Sequence, residues 1–239
     1  MQSIFKRYET KYLVTEAQAA ALRRMMSQYM APDQYGAYLV QNLYYDTARW
    51  DVIQASLEKP AYKEKMRLRC YGEAGRDSTM FLELKKKFKG VVYKRRIAIP
   101  ARALANRSVR AIVSETPEQI ARELDFYLQS NGVAERIYIS YQRKAFAGID
   151  DEELRVTFDT DIRFRVDDVR LANPGGGQCV LPEGKMLMEV KALGAMPLWL
   201  AGALSAHGVF PTTFSKFGVC YTNYIHKQLC EERKVSICA

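Results

Sequence analysis

Histidine is scarce in this sequence, and its cysteines lack the spacing of a metal or redox motif. The 239 residues include two histidines, His207 and His226, and five cysteines, at positions 70, 179, 220, 230 and 238. An odd number of cysteines without a CxxC pair predicts neither a disulfide framework nor a zinc site. The isolated histidines do not support a histidine-based metal site or a Ser-His-Asp triad. We expect the cysteines to be reduced thiols.

Long apolar runs and linker-like segments are also missing. No run approaches the roughly 20 apolar residues that a membrane span requires, and the polar start MQSIFKRYETKY is unlike a signal peptide. The chain has no low-complexity block or internal repeat. We therefore expect a soluble, cytoplasmic protein without direct membrane insertion. Its length suits one large domain or two smaller ones. Because nothing resembles a linker, we expect one domain over residues 1–232, with a C-terminal tail at 233–239.

Positive charge is plentiful. Lysine and arginine number 36 against 27 aspartates and glutamates, which gives a formal net charge of +9 and a pI near 9.3. This balance favours a polyanionic partner, but it does not choose among nucleic acid, phosphates and anionic lipid.

The charges follow a period of two in five stretches, 5–14, 65–71, 79–88, 91–99 and 137–146. Such alternation predicts β-strands with one charged and one apolar face. Two further runs behave alike, and the charged faces carry Arg7, Glu9, Lys11, Lys65, Arg67, Arg69, Glu83, Lys85, Lys87, Lys94, Arg96, Tyr141, Arg143, Arg155, Thr157, Asp159, Glu189 and Lys191. For one strand, a solvated face is the simpler interpretation. Because like charges on facing strands repel, their recurrence over seven strands indicates an anionic ligand.

Helical patterns separate the strands. Thr15 and Gln18 form a capping-box pattern for a helix over 15–30, and further helices are predicted at 47–57, 116–131, 197–207 and 217–232. The acidic run 150–153 is interpreted as a turn rather than a metal cluster, and 171–184 as an exposed hairpin loop. The predicted order is β-α-β-α-β-β-β-α-β-β-loop-β-α-α.

Two arrangements suit such a sheet: an open sheet under helices, or a closed barrel with a charged lumen. Helices could cover outward-facing apolar residues such as Met66, Leu68, Met80, Leu82 and Val190. We therefore expect an α+β fold with a closed antiparallel β-barrel of about eight strands and peripheral helices. Since charges inside a lumen are costly without a counter-ligand, a bound polyanion is expected.

Nine strings, in order along nearly the whole chain, resemble one family. They are RYETKYLV, LYYDT, KMRLRCY, FLELKKK, YKRR, SYQRKAF, LRVTFDTDI, MEVK and FSKFGVCY. Together they look like the VTC domain, the polyphosphate polymerase domain within the triphosphate tunnel (CYTH-like) superfamily. Each string alone is weak, whereas nine in order are specific.

The resemblance implies a set of site residues. Its catalytic positions correspond to Lys11, Arg67, Arg69, Lys85, Lys94, Arg143, Arg155 and Lys216, and its substrate-binding positions to Glu9, Lys87, Tyr141 and Ser215. Glu189 is the expected ligand of Mn²⁺ or Mg²⁺, although a salt bridge to Lys191 or to a neighbouring arginine is the alternative. Glu9 and Glu83 could instead orient basic neighbours.

One departure separates related activities. Hydrolytic CYTH relatives open with E-x-E-x-K, whereas residues 7–11 here read RYETK, so a cation replaces the first carboxylate. The loss of a ligand of a second metal should impair hydrolysis by water more than phosphoryl transfer to another phosphate. The predicted function is an ATP-dependent polyphosphate polymerase with ATP and inorganic polyphosphate as partners.

Two other functions stay open: a tripolyphosphate or nucleoside triphosphate phosphatase, and a non-catalytic polyphosphate sensor. Nucleic acid is the weaker case because the tyrosines lack a basic-aromatic groove pattern. The resemblance permits a membrane-protein partner, which leaves no mark in this chain.

Overall fold

A computed structural model describes residues 7–89, 91–171, 173–174 and 176–237, without the side chains of Arg7 and residues 232–237. The fold is mixed α+β, as predicted. The strands are β1 (Arg7–Thr15), β2 (Met30–Asp46), β3 (Tyr62–Tyr71), β4 (Thr79–Phe88), β5 (Val91–Pro100), β6 (Ala134–Gly148), β7 (Arg155–Arg165), β8 (Gln178–Cys179) and β9 (Lys185–Leu193). The helices are α1 (Glu16–Met26), α2 (Asp51–Leu57), α3 (Val109–Glu115), α4 (Gln119–Asn131), α5 (Leu198–Ala206), α6 (Lys216–Cys220) and α7 (His226–Ile237). A 3₁₀ turn, Ala101–Leu104, precedes α3, and a π-helical turn, Tyr221–Ile225, joins α6 to α7.

The sheet is open, so the expectation of a closed barrel is wrong. Its hydrogen-bonded order is β1-β9-β7-β6-β2-β3-β4-β5, with β8 paired to β7. Within the described residues, β1 and β5 end this order without pairing to each other. Alternation in sequence assigns side chains to faces, but strand tilt and stagger decide whether a sheet closes. Helices can cover the apolar face of an open sheet equally well.

The helices begin and end near the predicted positions. The Thr15 hydroxyl accepts from the Gln18 backbone N–H, and the Gln18 side chain accepts from the Thr15 N–H, which confirms the capping box of α1. The helix ends at Met26, however, four residues before its predicted end, and β2 begins at Met30. Sequence reasoning missed α3, whose Ser108 hydroxyl caps the helix by accepting from Ala111 N–H. The run 150–153 is a turn, as predicted.

Contacts divide the chain into two compact units. The first comprises Met1–Leu39, Tyr141–Ile162 and Cys179–Phe214. In its core, Leu22 of α1 and Leu200 of α5 pack with apolar side chains of β1, β7 and β9. The strand residues include Val14, Phe158 and Val190. The capping box and these contacts fix α1 over the apolar face of its strands.

The second unit comprises Val40–Ser140, Arg163–Gln178 and Ser215–Ala239. In its core, α3 and α4 cover the apolar face of β3, β4 and β5. We predicted that helices cover Met66, Leu68, Met80 and Leu82. This is confirmed, since all four side chains are buried. The opposite face of these three strands is left to charged residues.

Cys70, Cys220 and Cys230 are free thiols, Cys179 is exposed, and Cys238 lies outside the described residues. Burial raises the pKa of the Cys220 thiol, which disfavours its reactive thiolate. Among the described residues, no helix combines the length and apolar character needed to cross a membrane.

A core substitution in α4 tests this packing. Leu124 is fully buried against the β3–β5 layer, whereas Phe126 on the same helix is 72% exposed. Leu124→Ala should lower the free energy of unfolding by about 2–5 kcal/mol through lost burial and a residual cavity. Phe126→Ala should change it by less than about 0.5 kcal/mol. Urea unfolding of both variants measures this, and equal effects would contradict the assignment of the α4 face.

Candidate functional site

Three strands of the second unit bring basic side chains into cross-strand rows. Pairing of β3 with β4 and of β4 with β5 aligns Lys65, Lys85 and Lys94 in one row. The next row consists of Arg67, Glu83 and Arg96. Residues two apart on a strand share a face, so both rows lie on the face opposite the core. We call the charged residues of β3–β5 on this face, together with Lys216, the basic cluster.

Glu83 holds the centre of the basic cluster. Its side chain is 2% exposed, and its Oε2 accepts from Arg67 Nε at 2.8 Å and lies 2.7 Å from Arg67 Nη2. Its Oε1 lies 2.5 Å from Lys94 Nζ and 3.3 Å from Arg96 Nε. Burial alone would raise the pKa of this carboxyl, but Arg67, Arg69 and Lys94 lower it to about 2. Glu83 is therefore an ionised counter-ion shared by three cations.

Arg69 is fixed beside this centre by neutral groups. Its Nε donates to Asn42 Oδ1 at 2.9 Å, and its Nη1 donates to the Tyr71 hydroxyl at 3.3 Å. Asn42 is itself held by donating to the Ile139 carbonyl at 3.0 Å. These contacts orient the guanidinium beside Glu83, whose pKa it helps to lower.

Lysines continue the cluster along the strands. Lys63 and Lys87 are register partners on β3 and β4. The pKa of Lys63 is lowered, first by burial and then by repulsion from Lys87, Lys59 and Lys85. The three neighbouring lysines therefore disfavour a further positive charge at Lys63. An anion would relieve this repulsion.

The start of α6 adds two predicted site residues to the basic cluster. The Ser215 hydroxyl caps this helix by accepting from Gly218 N–H at 3.2 Å. Lys65 Nζ lies 3.5 Å from the same hydroxyl oxygen, and Lys216 is buried directly after it. The predicted residues Arg67, Arg69, Lys85, Lys87, Lys94, Ser215 and Lys216 thus belong to one region of the second unit.

The first unit holds a second charged group, which we call the Lys11 cluster. Lys11 faces Glu189 across the β1–β9 pair, and Glu9 faces Lys191. Lys11 Nζ lies 3.3 Å from Glu9 Oε1 and 3.8 Å from Glu189 Oε1, and it donates to the Phe214 carbonyl at 2.8 Å. Lys11 therefore bridges two carboxylates at the edge of its sheet.

Arg143 belongs to the same cluster. It makes a two-pronged ion pair with the fully buried Asp159, from Nε to Oδ1 at 2.6 Å and from Nη2 to Oδ2 at 2.7 Å. Its Nη2 also lies 3.7 Å from Glu189 Oε2, and its guanidinium stands 5.1 Å from the Tyr141 ring centre. Burial disfavours the charged form, yet the pKa of Arg143 is raised because Tyr141, Asp159 and Glu189 favour it. Arg155 is exposed and pairs in register with Lys191.

A buried hydroxyl in the Lys11 cluster lacks a partner. Thr157 pairs in register with Glu189, and in the described part of the chain its Oγ1 makes no hydrogen bond. An unsatisfied buried hydroxyl is costly, so it is a weak point of this cluster.

The two clusters differ in charge balance. The charged face of β3–β5 carries many cations and the single carboxylate of Glu83, whereas the Lys11 cluster contains Glu9, Asp159 and Glu189 beside its cations. The basic cluster can bind phosphate oxygens, and the Lys11 cluster offers both phosphate-binding cations and acidic oxygens. Among the described residues, no three histidine, cysteine or acidic side chains are grouped to hold a metal by themselves.

Sequence reasoning missed several residues that shape these clusters. Asp159 was placed on a charged face without a role, although it anchors Arg143. Lys63 and Asn42 were not singled out, and Arg96 was not among the candidates. The period-two alternation could have placed Lys63 on the charged face, because it lies two residues before Lys65. The contact of Asn42 with Arg69 could not be predicted in this way, because it depends on the pairing of β2 with β3. The side chain of Arg7, on which the contrast with hydrolytic relatives depends, lies outside the described atoms.

A profile of the VTC domain matches residues 6–225, and the chain belongs to the VTC domain family. This membership supports a triphosphate-binding function of the CYTH-like kind. Such proteins are generally associated with phosphotransferase or phosphatase activity and with divalent metals. A comparison with curated proteins found no significant match.

Solved structures resemble the chain more distantly. One is a Vibrio parahaemolyticus protein named as a candidate adenylate cyclase, with 14% identity over 92% of this chain and 100% of that chain and a TM-score of 0.49. Another is a Pyrococcus horikoshii protein, with 13% identity over 90% of this chain and 99% of that chain and a TM-score of 0.48.

The buried counter-ion predicts a pH-dependent stability. The pKa of Glu83 falls from its ordinary value of 4.5 to about 2 in the folded protein. Its contribution, on the order of 3 kcal/mol, should be fully present above pH 4.5 and lost as the pH falls towards 2. We expect Glu83→Gln to lower the free energy of unfolding at pH 7. Between pH 4.5 and 2, the free energy of unfolding of this variant should fall less than that of the wild type, because the titrating carboxyl is gone. Denaturant unfolding at several pH values measures both, and parallel profiles for wild type and variant would contradict the assignment.

The unpartnered hydroxyl predicts a stabilising substitution. Thr157→Val removes a buried polar group with no hydrogen bond and should raise the unfolding free energy by about 1 kcal/mol. Thr157→Ser keeps the hydroxyl and serves as the control, for which no gain is expected. Denaturant titration compares the two, and a marked loss of stability in the valine variant would show that the hydroxyl has a partner.

Proposed function

We propose that this protein is an ATP-dependent polyphosphate polymerase, which transfers the γ-phosphate of ATP to the end of a polyphosphate chain and releases ADP. The observation that carries the proposal is the charged face of β3–β5, where the only carboxylate is already shared by three cations. A surface with this charge needs a ligand with several anionic groups in sequence. Family membership supports triphosphate or polyphosphate as that ligand.

The basic cluster supplies the groups that phosphate recognition requires. Arg67 and Arg69 present planar guanidinium forks, which can donate two hydrogen bonds to one phosphate group. Lys85, Lys94 and Lys216 add point charges that follow a phosphate chain. Because Glu83 and Asn42 orient the two arginines from behind, the cluster is arranged before the ligand arrives.

The Lys11 cluster has the donor set for a divalent cation bound jointly with phosphates. Mg²⁺ is commonly held by one or two carboxylates together with substrate phosphate oxygens and water. Glu189 and Glu9 both lie near Lys11 Nζ, and Glu189 also lies within 4 Å of Arg143 and Lys191, so its charge is partly balanced in the protein alone. These residues fit Mg²⁺ or Mn²⁺ with Glu189 as the first ligand. When bound, the ion would neutralise charge on the terminal phosphates.

The transferred group passes through a transition state whose charge is spread over phosphoryl oxygens, so positioning and electrostatic stabilisation dominate catalysis. Arg143 can donate to those oxygens while Asp159 keeps its guanidinium in place. Lys11 and Arg155 contribute further positive charge. The Tyr141 ring lies 5.1 Å from the Arg143 guanidinium and completes this group.

The acceptor distinguishes polymerase from phosphatase. Either activity uses the same cations, and the difference is whether a phosphate oxygen or water attacks the γ-phosphate. The cation at position 7 in place of a carboxylate supports transfer to phosphate, since it removes a ligand that could activate water.

Incubation with ATP, Mn²⁺ or Mg²⁺ and a short polyphosphate primer tests the proposal. Long polyphosphate on a gel, with an equivalent amount of ADP, is the expected result. Free phosphate without polymer would make the protein a triphosphatase. Neither product, together with measurable polyphosphate binding, would make it a sensor.

Single substitutions in the basic cluster should remove turnover while the fold persists. Arg67→Ala, Arg69→Ala and Lys216→Ala should each lower kcat by about 100-fold or more, because a positioned transition-state donor is lost. Arg110→Ala, at an exposed position of α3, is the matched control and should leave kcat unchanged. Circular dichroism verifies folding, and undiminished activity in a folded Arg69→Ala variant would contradict the proposed site.

A further inference from the structure

The β4–β5 hairpin ends beside the basic cluster in a surface whose exposed apolar side chains the proposed reaction does not use. Three successive cross-strand rows lie at this end, Tyr62–Phe88–Val91, Lys63–Lys87–Val92 and Glu64–Lys86–Tyr93. Lys89 follows Phe88 and has a positive φ of 45°. We call these ten residues the hairpin end. Since neighbouring rows alternate between faces, apolar and basic side chains occur on both faces.

Large apolar side chains at the hairpin end are open to solvent. Tyr62 is 49% exposed, Phe88 45%, Val92 44% and Tyr93 37%. Tyr62 and Phe88 pack edge to face with ring centres 6.4 Å apart, and Lys89 Nζ stands 5.5 Å from the Phe88 ring centre. Grouping four such side chains at one end of a hairpin exposes apolar surface that water solvates poorly.

Lysines outnumber acidic residues around these side chains, although Lys86 lies within 4 Å of both Glu64 and Glu123. The hairpin end contains Lys63, Lys86, Lys87 and Lys89, whereas Glu64 is its one acidic residue. Glu64 is already engaged, because it accepts from the Tyr62 hydroxyl and lies 3.5 Å from Lys86 Nζ. The net charge of the hairpin end is positive. Its lysines carry this charge at the end of flexible aliphatic chains, which can lie along an apolar surface.

We propose that the hairpin end docks on the surface of an anionic lipid bilayer. Aromatic side chains favour the interface between headgroups and acyl chains, while nearby lysines attract acidic headgroups. A polyphosphate chain has no apolar part that would use Phe88 or Val92. Because the apolar residues lie at one end of three neighbouring strands, they can enter the headgroup layer together. No helix needs to insert.

Vesicle co-sedimentation of the full chain tests this docking without ATP or metal. Vesicles of phosphatidylcholine with about one third phosphatidylglycerol should bind the protein about tenfold more than phosphatidylcholine alone, and salt should weaken the binding. Equal binding to both vesicles, or binding to neither, would overturn the proposal. The measurement uses no turnover, so its failure and the failure of the polymerase proposal are separate results.

Two variants separate lipid docking from attraction of any polyanion. Phe88→Ser with Val92→Ser keeps every charge and should reduce vesicle binding by about tenfold, since the apolar contact is lost. Phe126→Ser, an exposed apolar position on α4, is the control and should bind as wild type. Undiminished binding by the double variant would overturn the proposal in favour of charge alone. Loss of single-stranded RNA binding in the same variant would instead identify a nucleic-acid surface.

A gain-of-signal variant covers the case in which the double variant fails to fold. Phe88→Trp keeps an aromatic ring at the hairpin end, and its fluorescence reports the polarity around it. On addition of anionic vesicles its emission should shift to shorter wavelength, relative to wild type with Trp50 and Trp199 alone. An unchanged emission difference would place residue 88 in water and overturn the proposal.

Discussion

Mutual repulsion among the cations of the basic cluster is the constraint on which the charged face of β3–β5 depends. The apolar face of these strands must lie under α3 and α4, which leaves the alternate side chains together on the other face. Glu83 partly offsets their repulsion from a buried position between Arg67, Lys94 and Arg96. One carboxylate cannot balance the whole set, and the excess positive charge is what a phosphate chain can neutralise.

In the Lys11 cluster, by contrast, cations and carboxylates are present in similar numbers. Asp159 is fully buried and paired to Arg143, and Glu189 lies among three cations, so this cluster is close to internal balance. A group with both signs of charge suits a substrate that arrives with a divalent cation, whereas the basic cluster suits bare phosphate oxygens. The proposed polymerase needs both capacities, a nucleotide with its metal and a polymer without one.

Much of this arrangement could be predicted from the sequence because it depends on local patterns. Period-two alternation placed Arg67, Arg69 and Lys85 on a charged face, and the capping box located the start of α1. The prediction of a closed barrel was wrong because closure depends on strand stagger, which is a property of the whole sheet. Helix α3 was missed, since its seven residues are too few for a clear period. The roles of Glu83 and Asp159 needed cross-strand register and burial, which alternation alone does not give.

The most direct test of the central claim is whether tripolyphosphate binds and stabilises the protein through the basic cluster. Thermal unfolding with and without tripolyphosphate, at constant ionic strength set with chloride, measures the stabilisation that a bound ligand provides. At about 100 times its Kd the ligand should stabilise the wild type by about 3 kcal/mol, and Arg69→Ala should lose most of that gain while Arg110→Ala keeps it. A wild-type protein whose unfolding temperature does not respond to tripolyphosphate would contradict the account.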